Sequence, residues 1–241
     1  DGGKITALTK ISSTHRTSVS TNGKYFYDSY SDINTPAKLD VYDGSGKLIR
    51  NLADSKSKIF DEYKLGKTEL FYIKTDDGID LPAMWVLPPN FDPNKKYPVL
   101  FSVYGAPGFI GVRNSFSGYL DRYFLSQNDI IYFAFDHRGS GYFGGKGKNF
   151  IHRNLGKWEM NDYAQAVKWL RTKSFVDSTK IGITGGSYGG YVTCMALTAG
   201  ADYFNYGLAE YSVTDWRLYD NVYTERYMDT PEENPEGYKN G

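Results

Sequence analysis

The run Lys180-Ile181-Gly182-Ile183-Thr184 stops at Gly185-Gly186-Ser187-Tyr188-Gly189, and a helical pattern follows over residues 188–199. A serine between glycines, where a strand turns straight into a helix, constrains the fold strongly. The turn is too crowded for flanking side chains, so glycine is needed there, and the serine hydroxyl is presented at the end of a sheet. The rest of the chain has to supply that sheet.

Residues 97–104 and 129–136 read as buried strands by length and by their β-branched and aromatic content. Residues 119–128 and 158–172 read as helices, the second with Met160, Tyr163, Val167 and Leu170 at three- and four-residue steps. Residues 204–210 read as the following strand. Residues 69–75 and 81–87 flank Asp76-Asp77-Gly78 as a hairpin, and Pro82 assigns its second arm to a sheet edge. Strands alternating with helices predict a mostly parallel sheet covered on both faces, an α/β fold. With the serine turn, the expected class is an α/β-hydrolase, truncated at its C-terminus.

Before it, residues 17–20, 24–30, 38–42 and 47–52 read as short strands, joined by turns that include Asn22-Gly23 and Asp43-Gly44-Ser45-Gly46. Such an antiparallel segment resembles the last blade of a β-propeller or a small extension of the main domain. The expected organisation is a blade over 1–58 and a catalytic domain over 59–241. The start without methionine and the loop-like stretch 235–241 read as a piece of a longer protein.

Composition narrows the function classes. A hydrophobic share of 40% suffices for a packed core, and 28 basic against 28 acidic residues leave no electrostatic footprint for nucleic acid. The longest apolar run, residues 130–135, falls far short of the roughly 20 residues needed to span a bilayer. The single cysteine, Cys194, excludes an internal disulfide, and no ligand cluster suggests a metal or cofactor.

A serine hydroxyl attacks a carbonyl well when a base removes its proton and donors meet the oxyanion. Ser187 is the candidate nucleophile, and the N–H of Tyr188 is one oxyanion donor by its place in the turn. Tyr104, in Val103-Tyr104-Gly105-Ala106-Pro107-Gly108 at the end of a buried strand, is either a second donor through its hydroxyl or a structural tyrosine. His15, His137 and His152 all precede Ser187, whereas this fold places its acid and histidine after the serine. Those three read as structural or surface residues, and the triad is incomplete within these 241 residues.

Several motifs together resemble the prolyl oligopeptidase family of serine peptidases, most closely its dipeptidyl peptidase IV branch. They are Leu87-Pro88-Pro89-Asn90-Phe91-Asp92 with Lys95-Lys96-Tyr97-Pro98, the Tyr104 loop, Asp136-His137-Arg138-Gly139-Ser140-Gly141-Tyr142, the Ser187 turn, and Val222-Tyr223-Thr224-Glu225-Arg226-Tyr227-Met228. The resemblance implies Ser187 as nucleophile, with the Tyr188 N–H and the Tyr104 hydroxyl as oxyanion donors. It also implies a proline pocket of Tyr188, Val213, Trp216, Tyr219 and Tyr223. Read by spacing alone, Trp216, Tyr219 and Tyr223 would form one face of a helix. The implied activity is release of N-terminal dipeptides or tripeptides after Pro or Ala from a peptide substrate, with the triad acid and histidine beyond Gly241. The 241 residues alone are then expected to be inactive. The resemblance leaves room for a homodimer of the full-length protein and leans to an exported, periplasmic or extracellular location. One departure is Gly186, where the dipeptidyl branch usually carries Trp. An oligopeptidase, acylaminoacyl peptidase or esterase on the same scaffold, and a non-catalytic binding homologue, are the alternatives.

Overall fold

The computed structural model describes residues 3, 5–116 and 120–241. Its backbone divides into two compact units, Asp1–Leu65 with Arg113–Leu120, and Gly66–Val112 with Asp121–Gly241.

The first unit is an antiparallel meander of β1 (Thr14–Val19), β2 (Tyr25–Ser31), β3 (Lys38–Asp43) and β4 (Leu48–Asp54), in that spatial order. Its middle holds two buried carboxylates. Asp28 is bonded to His15 Nδ1 at 2.6 Å, and Asp40 accepts from the Asn51 amide at 2.7 Å. Asn114 explains why a segment remote in sequence joins this sheet. Its carbonyl accepts from the Thr14 N–H, its side-chain oxygen accepts from the Ile33 N–H, and its amide donates to the Ser12 carbonyl. Val19, Tyr25, Tyr27, Leu48, Ile49 and Leu52 stay exposed on the two faces of the sheet, apolar side chains of the kind that propeller blades bury against their neighbours.

The second unit contains β5 (Thr68–Lys74), β6 (Asp80–Val86), β7 (Tyr97–Ser102), α1 (Leu120–Gln127), β8 (Ile131–Phe135), α2 (Gly144–Ile151), α3 (Lys157–Arg171), β9 (Val176–Gly186), α4 (Tyr188–Leu197), β10 (Tyr206–Glu210), α5 (Asn221–Met228) and α6 (Pro235–Asn240). The strand order is β10-β9-β7-β8-β6-β5, parallel from β10 to β8 and antiparallel at β6 and β5. This is the mostly parallel sheet of an α/β-hydrolase. The two-residue strand period sorts its core. Leu81, Ala83, Val99, Phe101, Ile131, Phe133, Ile181 and Ile183 share one cluster with Tyr163, Ala166, Val167 and Leu170 of α3 and Val192 and Ala196 of α4. Met84, Val86, Tyr132 and Ala134 form a second cluster, with Leu125 of α1 packed against it. Helices therefore cover both faces, and each fully buried aliphatic or Phe side chain contributes about 1.5–3 kcal/mol.

Two expectations are corrected. β6 lies between β8 and β5, so Pro82 is not on an edge strand. Its carbonyl accepts from the Asp136 N–H at 2.9 Å, just past the end of β8. The nitrogen of a strand residue faces the same neighbour as its carbonyl, so the missing N–H falls where the ladder has already stopped. Residues 235–240 form α6 rather than a loop, because Asn234 caps it by accepting from the Gly237 N–H, Pro235 suits the first turn, and Tyr238 is buried. The glycine-rich segment Gly144–Ile151 forms α2, where burial of Gly147 and Ile151 outweighs poor helix propensity. Elsewhere boundaries shift by a few residues. The expected first residue of the 119–128 helix, Tyr119, lies outside the described residues.

A buried ion-pair cluster ties this unit together. The Arg138 guanidinium is 1% exposed, and Asp162 on α3 is fully buried. Arg138 donates to Asp162 at 2.6 and 2.9 Å and to Asp77 in the β5–β6 turn at 2.7 Å, and it lies 4.4 Å from the Trp158 ring centre. Removing the cation while Asp162 stays buried leaves an unpaired charge, so Arg138→Met is expected to cost about 3–5 kcal/mol in thermal or denaturant unfolding. The Arg138 guanidinium and then the Thr75 hydroxyl hold the Asp77 carboxyl down to about 2. A depressed acid stabilises the fold above its ordinary range and loses that contribution as pH falls through its folded value. The melting-temperature gap between wild type and Asp77→Asn should therefore be present at neutral pH and close as pH approaches 2.

Candidate active site

β9 passes into α4 through Ser187, whose backbone has φ 58° and ψ −119°. A non-glycine residue in such a conformation costs about 1–3 kcal/mol and persists only where its surroundings hold it. Here the Ser187 N–H donates to the Glu210 carbonyl at 3.0 Å, and the Ser187 carbonyl accepts from the Tyr191 N–H at 3.0 Å. Gly189 lies so near the Val103 carbonyl that a Cβ would overlap it, and that Cβ would also fall 3.1 Å from the Tyr104 Cα. Bare backbone contact thus draws the end of β7 onto the start of α4 and sets Tyr104 beside the serine turn.

Tyr188 is the first residue of α4, so its N–H is among those a helix leaves without an intrahelical acceptor. Its side chain turns inward, where the hydroxyl donates to Glu159 Oε1 of α3 at 2.6 Å, both groups being buried.

Tyr104, Ser187, Tyr188, Val213, Trp216, Tyr219 and Tyr223 line one open cleft of about 240 Å³. Two aspartate caps build its far wall. Asp215 caps the short 3-10 helix Trp216–Leu218 by accepting from the Arg217 N–H, and Asp220 caps α5 by accepting from the Tyr223 N–H, each at 2.9 Å. Tyr219 between them is extended. The three aromatics therefore do not share a helix face, and the spacing-based reading is corrected: the chain breaks at Tyr219 and folds back. Trp216, 2% exposed, is the floor, with ring centres of Tyr191 at 5.0 Å, Tyr188 at 5.6 Å and Tyr223 at 6.1 Å, the last nearly parallel. Tyr104 and Tyr219 form the rim, and the Tyr104 ring meets Phe109 edge-on at 4.9 Å. Burial first, and then Glu159 for Tyr188, pushes the Tyr188 hydroxyl well above its ordinary range; burial followed by Tyr227 and Tyr104 does the same for Tyr223. The cleft wall is consequently neutral and aromatic, suited to a small apolar ring.

No histidine lines this cleft among the described residues. His137 is buried, with Nδ1 accepting from the Gly139 N–H and Nε2 donating to the Gly105 carbonyl. His15 is bonded to Asp28, and His152 is exposed at the end of α2. No group of three or more His, Cys, Asp or Glu side chains is placed to hold a metal ion, again among the described residues.

Two neighbours of the cleft escaped the sequence reading. Glu159 supports Tyr188, and its signal was a carboxylate one step from Met160 and four from Tyr163, on the apolar stripe of α3. Tyr211, at φ 37°, lays its ring over Gly186: a Cβ there would come within 2.5 Å of Cε2 and 2.7 Å of Cζ. The aromatic that occupies the space beside Gly186 thus comes from the loop after β10.

The sequence pattern of the prolyl oligopeptidase family matches residues 114–240. The "Probable dipeptidyl-aminopeptidase B" of Arthroderma otae is 42% identical over 209 residues, covering 86% of this chain and 22% of the relative. Its namesake in Talaromyces marneffei is 37% identical over 250 residues, covering 99% of this chain and 27% of the relative. The crystal structure of Porphyromonas gingivalis dipeptidyl peptidase 4 superposes with a TM-score of 0.91 at 35% identity, over 98% of this chain and 34% of that one. The chain spans about a quarter of the length of these curated relatives.

The two glycines flanking the serine turn should respond differently to a methyl group. At Gly186 the obstacle is the end of an exposed ring that can swing away, so Gly186→Ala should change stability by less than about 0.5 kcal/mol. At Gly189 the obstacle is the Val103 backbone, so Gly189→Ala should lose about 1–3 kcal/mol in denaturant unfolding.

Proposed function

This chain belongs to the prolyl oligopeptidase family, and we propose that Ser187 is the nucleophile of a serine exopeptidase releasing N-terminal dipeptides, or tripeptides, after Pro or Ala. The observation that carries this reading is the coincidence, in one cleft, of a strained serine at a helix start, a helix N–H, a tyrosine hydroxyl and a neutral aromatic box. Residues 59–241 are taken as the catalytic domain and 1–58 as a terminal propeller blade.

Ser187 Oγ attacks the carbonyl carbon on the C-terminal side of a residue whose ring or methyl group lies against Trp216, Tyr188 and Tyr223. The oxyanion forms between the Tyr188 N–H and the Tyr104 hydroxyl, donors that gain strength as charge develops. The C–N bond breaks, the amine leaves with the proton taken from Ser187, and water then releases the acyl group. The base that carries this proton is not His15, His137 or His152, since His137 has both ring nitrogens engaged and none of the three lines the cleft. We assign base and supporting acid to residues other than these 241, in keeping with the small share of its relatives that the chain spans. The lack of a bulky residue at Gly186 favours one alternative, an oligopeptidase or acylaminoacyl peptidase on the same scaffold.

On the full-length protein, a fluorophosphonate probe should label Ser187 and leave Ser187→Ala unlabelled; an unlabelled wild type would overturn the peptidase reading. Gly-Pro-p-nitroanilide should be cleaved in preference to a blocked acyl-peptide substrate, and the reverse order would favour the alternative. Tyr104→Phe should lower kcat by about 10²–10³ with little change in KM, as for loss of one oxyanion donor. The 241-residue chain alone should show negligible turnover of either substrate, because a serine without its base loses orders of magnitude in rate.

A further inference from the structure

Hydrogen bonds fasten the loop after β7 to the loop after β8, and one of them reaches the residue next to Tyr104. Asp136 accepts from the Gly111 N–H at 2.7 Å and the Val112 N–H at 2.9 Å, and the Gly141 N–H donates to the Phe109 carbonyl at 2.8 Å. These hold the far half of the loop, including Phe109, whose ring braces Tyr104. The near half turns at Gly105, in a left-handed conformation with φ 67°. There the Gly105 carbonyl accepts from His137 Nε2 at 2.8 Å. His137 is 1% exposed, and its Nδ1 accepts from the Gly139 N–H at 3.1 Å. An imidazole with Nδ1 accepting carries its proton on Nε2, so the ring is set to donate to Gly105 and to nothing else.

We propose that His137 is the positioning residue for Tyr104, fixing the Gly105 carbonyl so that the tyrosine hydroxyl points to where the oxyanion forms. This rests on the reading of Ser187 and Tyr104 given above. Tyr104 is 41% exposed at the cleft rim and braced by the Phe109 ring, so it is held less firmly by packing than the buried residues of the floor. The bond from His137 fixes the Gly105–Ala106 peptide, and with it the direction in which the backbone presents the Tyr104 side chain. Its effect is confined to the transition state, because the hydroxyl is needed only when negative charge has developed on the carbonyl oxygen. His137 touches no reacting atom.

The test uses two variants of the full-length protein that differ in which ring nitrogen they imitate. Asparagine places a polar atom near the Nδ1 position, keeping an acceptor for Gly139 but no donor for Gly105. Glutamine places its amide near the Nε2 position and keeps the donor. His137→Asn is expected to lower kcat on Gly-Pro-p-nitroanilide by about tenfold or more with KM within about twofold, and His137→Gln to recover most of that loss. In a Tyr104→Phe background, His137→Asn should have almost no further effect, because both changes remove one interaction. Additive losses in the double variant, or equal losses in the Asn and Gln variants, would overturn the proposal and leave the peptidase reading standing. A wild type with no Ser187-dependent turnover would overturn both. If His137→Asn fails to fold, Gly105→Ala shifts the same peptide from the other side, and additivity of its kcat loss with Tyr104→Phe would overturn the proposal equally.

Discussion

The contact between the Gly189 backbone and the Val103 carbonyl is the constraint from which the rest of the site follows. It exists because neither partner presents a side chain, and it sets the end of β7 against the first turn of α4. With those two elements held together, β9 enters α4 through Ser187 in its strained conformation. The Tyr188 N–H is left at the helix start, and Tyr104 emerges beside it. A strained residue is stable only inside such an overdetermined setting. Here that setting consists of backbone packing and two main-chain hydrogen bonds, from Ser187 to Glu210 and from Tyr191 to Ser187.

Around this point the molecule keeps its charges off the cleft wall and in the supporting layer. Glu159 lies behind Tyr188, Asp136 behind the Tyr104 loop, and Asp162 on α3 pairs with Arg138. Each carboxylate accepts from a hydroxyl, main-chain N–H or guanidinium in a low-dielectric setting, where such bonds are strong and costly to leave incomplete. Burial holds the Tyr188 and Tyr223 hydroxyls protonated, and no charged side chain lines the cleft among the described residues. An apolar ring can then enter without desolvating a charge, while the Ser187 and Tyr104 hydroxyls lie at the other end of the same cleft.

The sequence carried the sheet and the serine turn clearly, because both rest on local patterns. Alternating strands such as residues 97–102, the α3 stripe and the glycines around Ser187 each express one dominant physical demand. What it concealed was tertiary. Pro82 signals an edge strand only if the ladder extends past it, and the length of β8 decides that. Trp216, Tyr219 and Tyr223 have helical spacing, yet the capping aspartates Asp215 and Asp220 put Trp216 and Tyr223 in two helices with Tyr219 extended between them. Gly144–Ile151 is poor helix sequence made helical by burial. The seven residues lining the cleft were nameable only through the family resemblance, and the roles of Glu159, Tyr211 and His137 depend on groups 29, 25 and 32 residues away, which no local pattern reports.

The most direct test of the account is the crystal structure of the full-length protein inhibited by a dipeptide boronic acid ending in boroproline. Boron should be bonded to Ser187 Oγ and the proline ring stacked among Trp216, Tyr188 and Tyr223. One boronate oxygen should lie roughly 2.7–3.1 Å from both the Tyr188 nitrogen and the Tyr104 hydroxyl. A boronate attached elsewhere, or one whose oxygen meets neither donor while the ring lies outside the aromatic box, would contradict it.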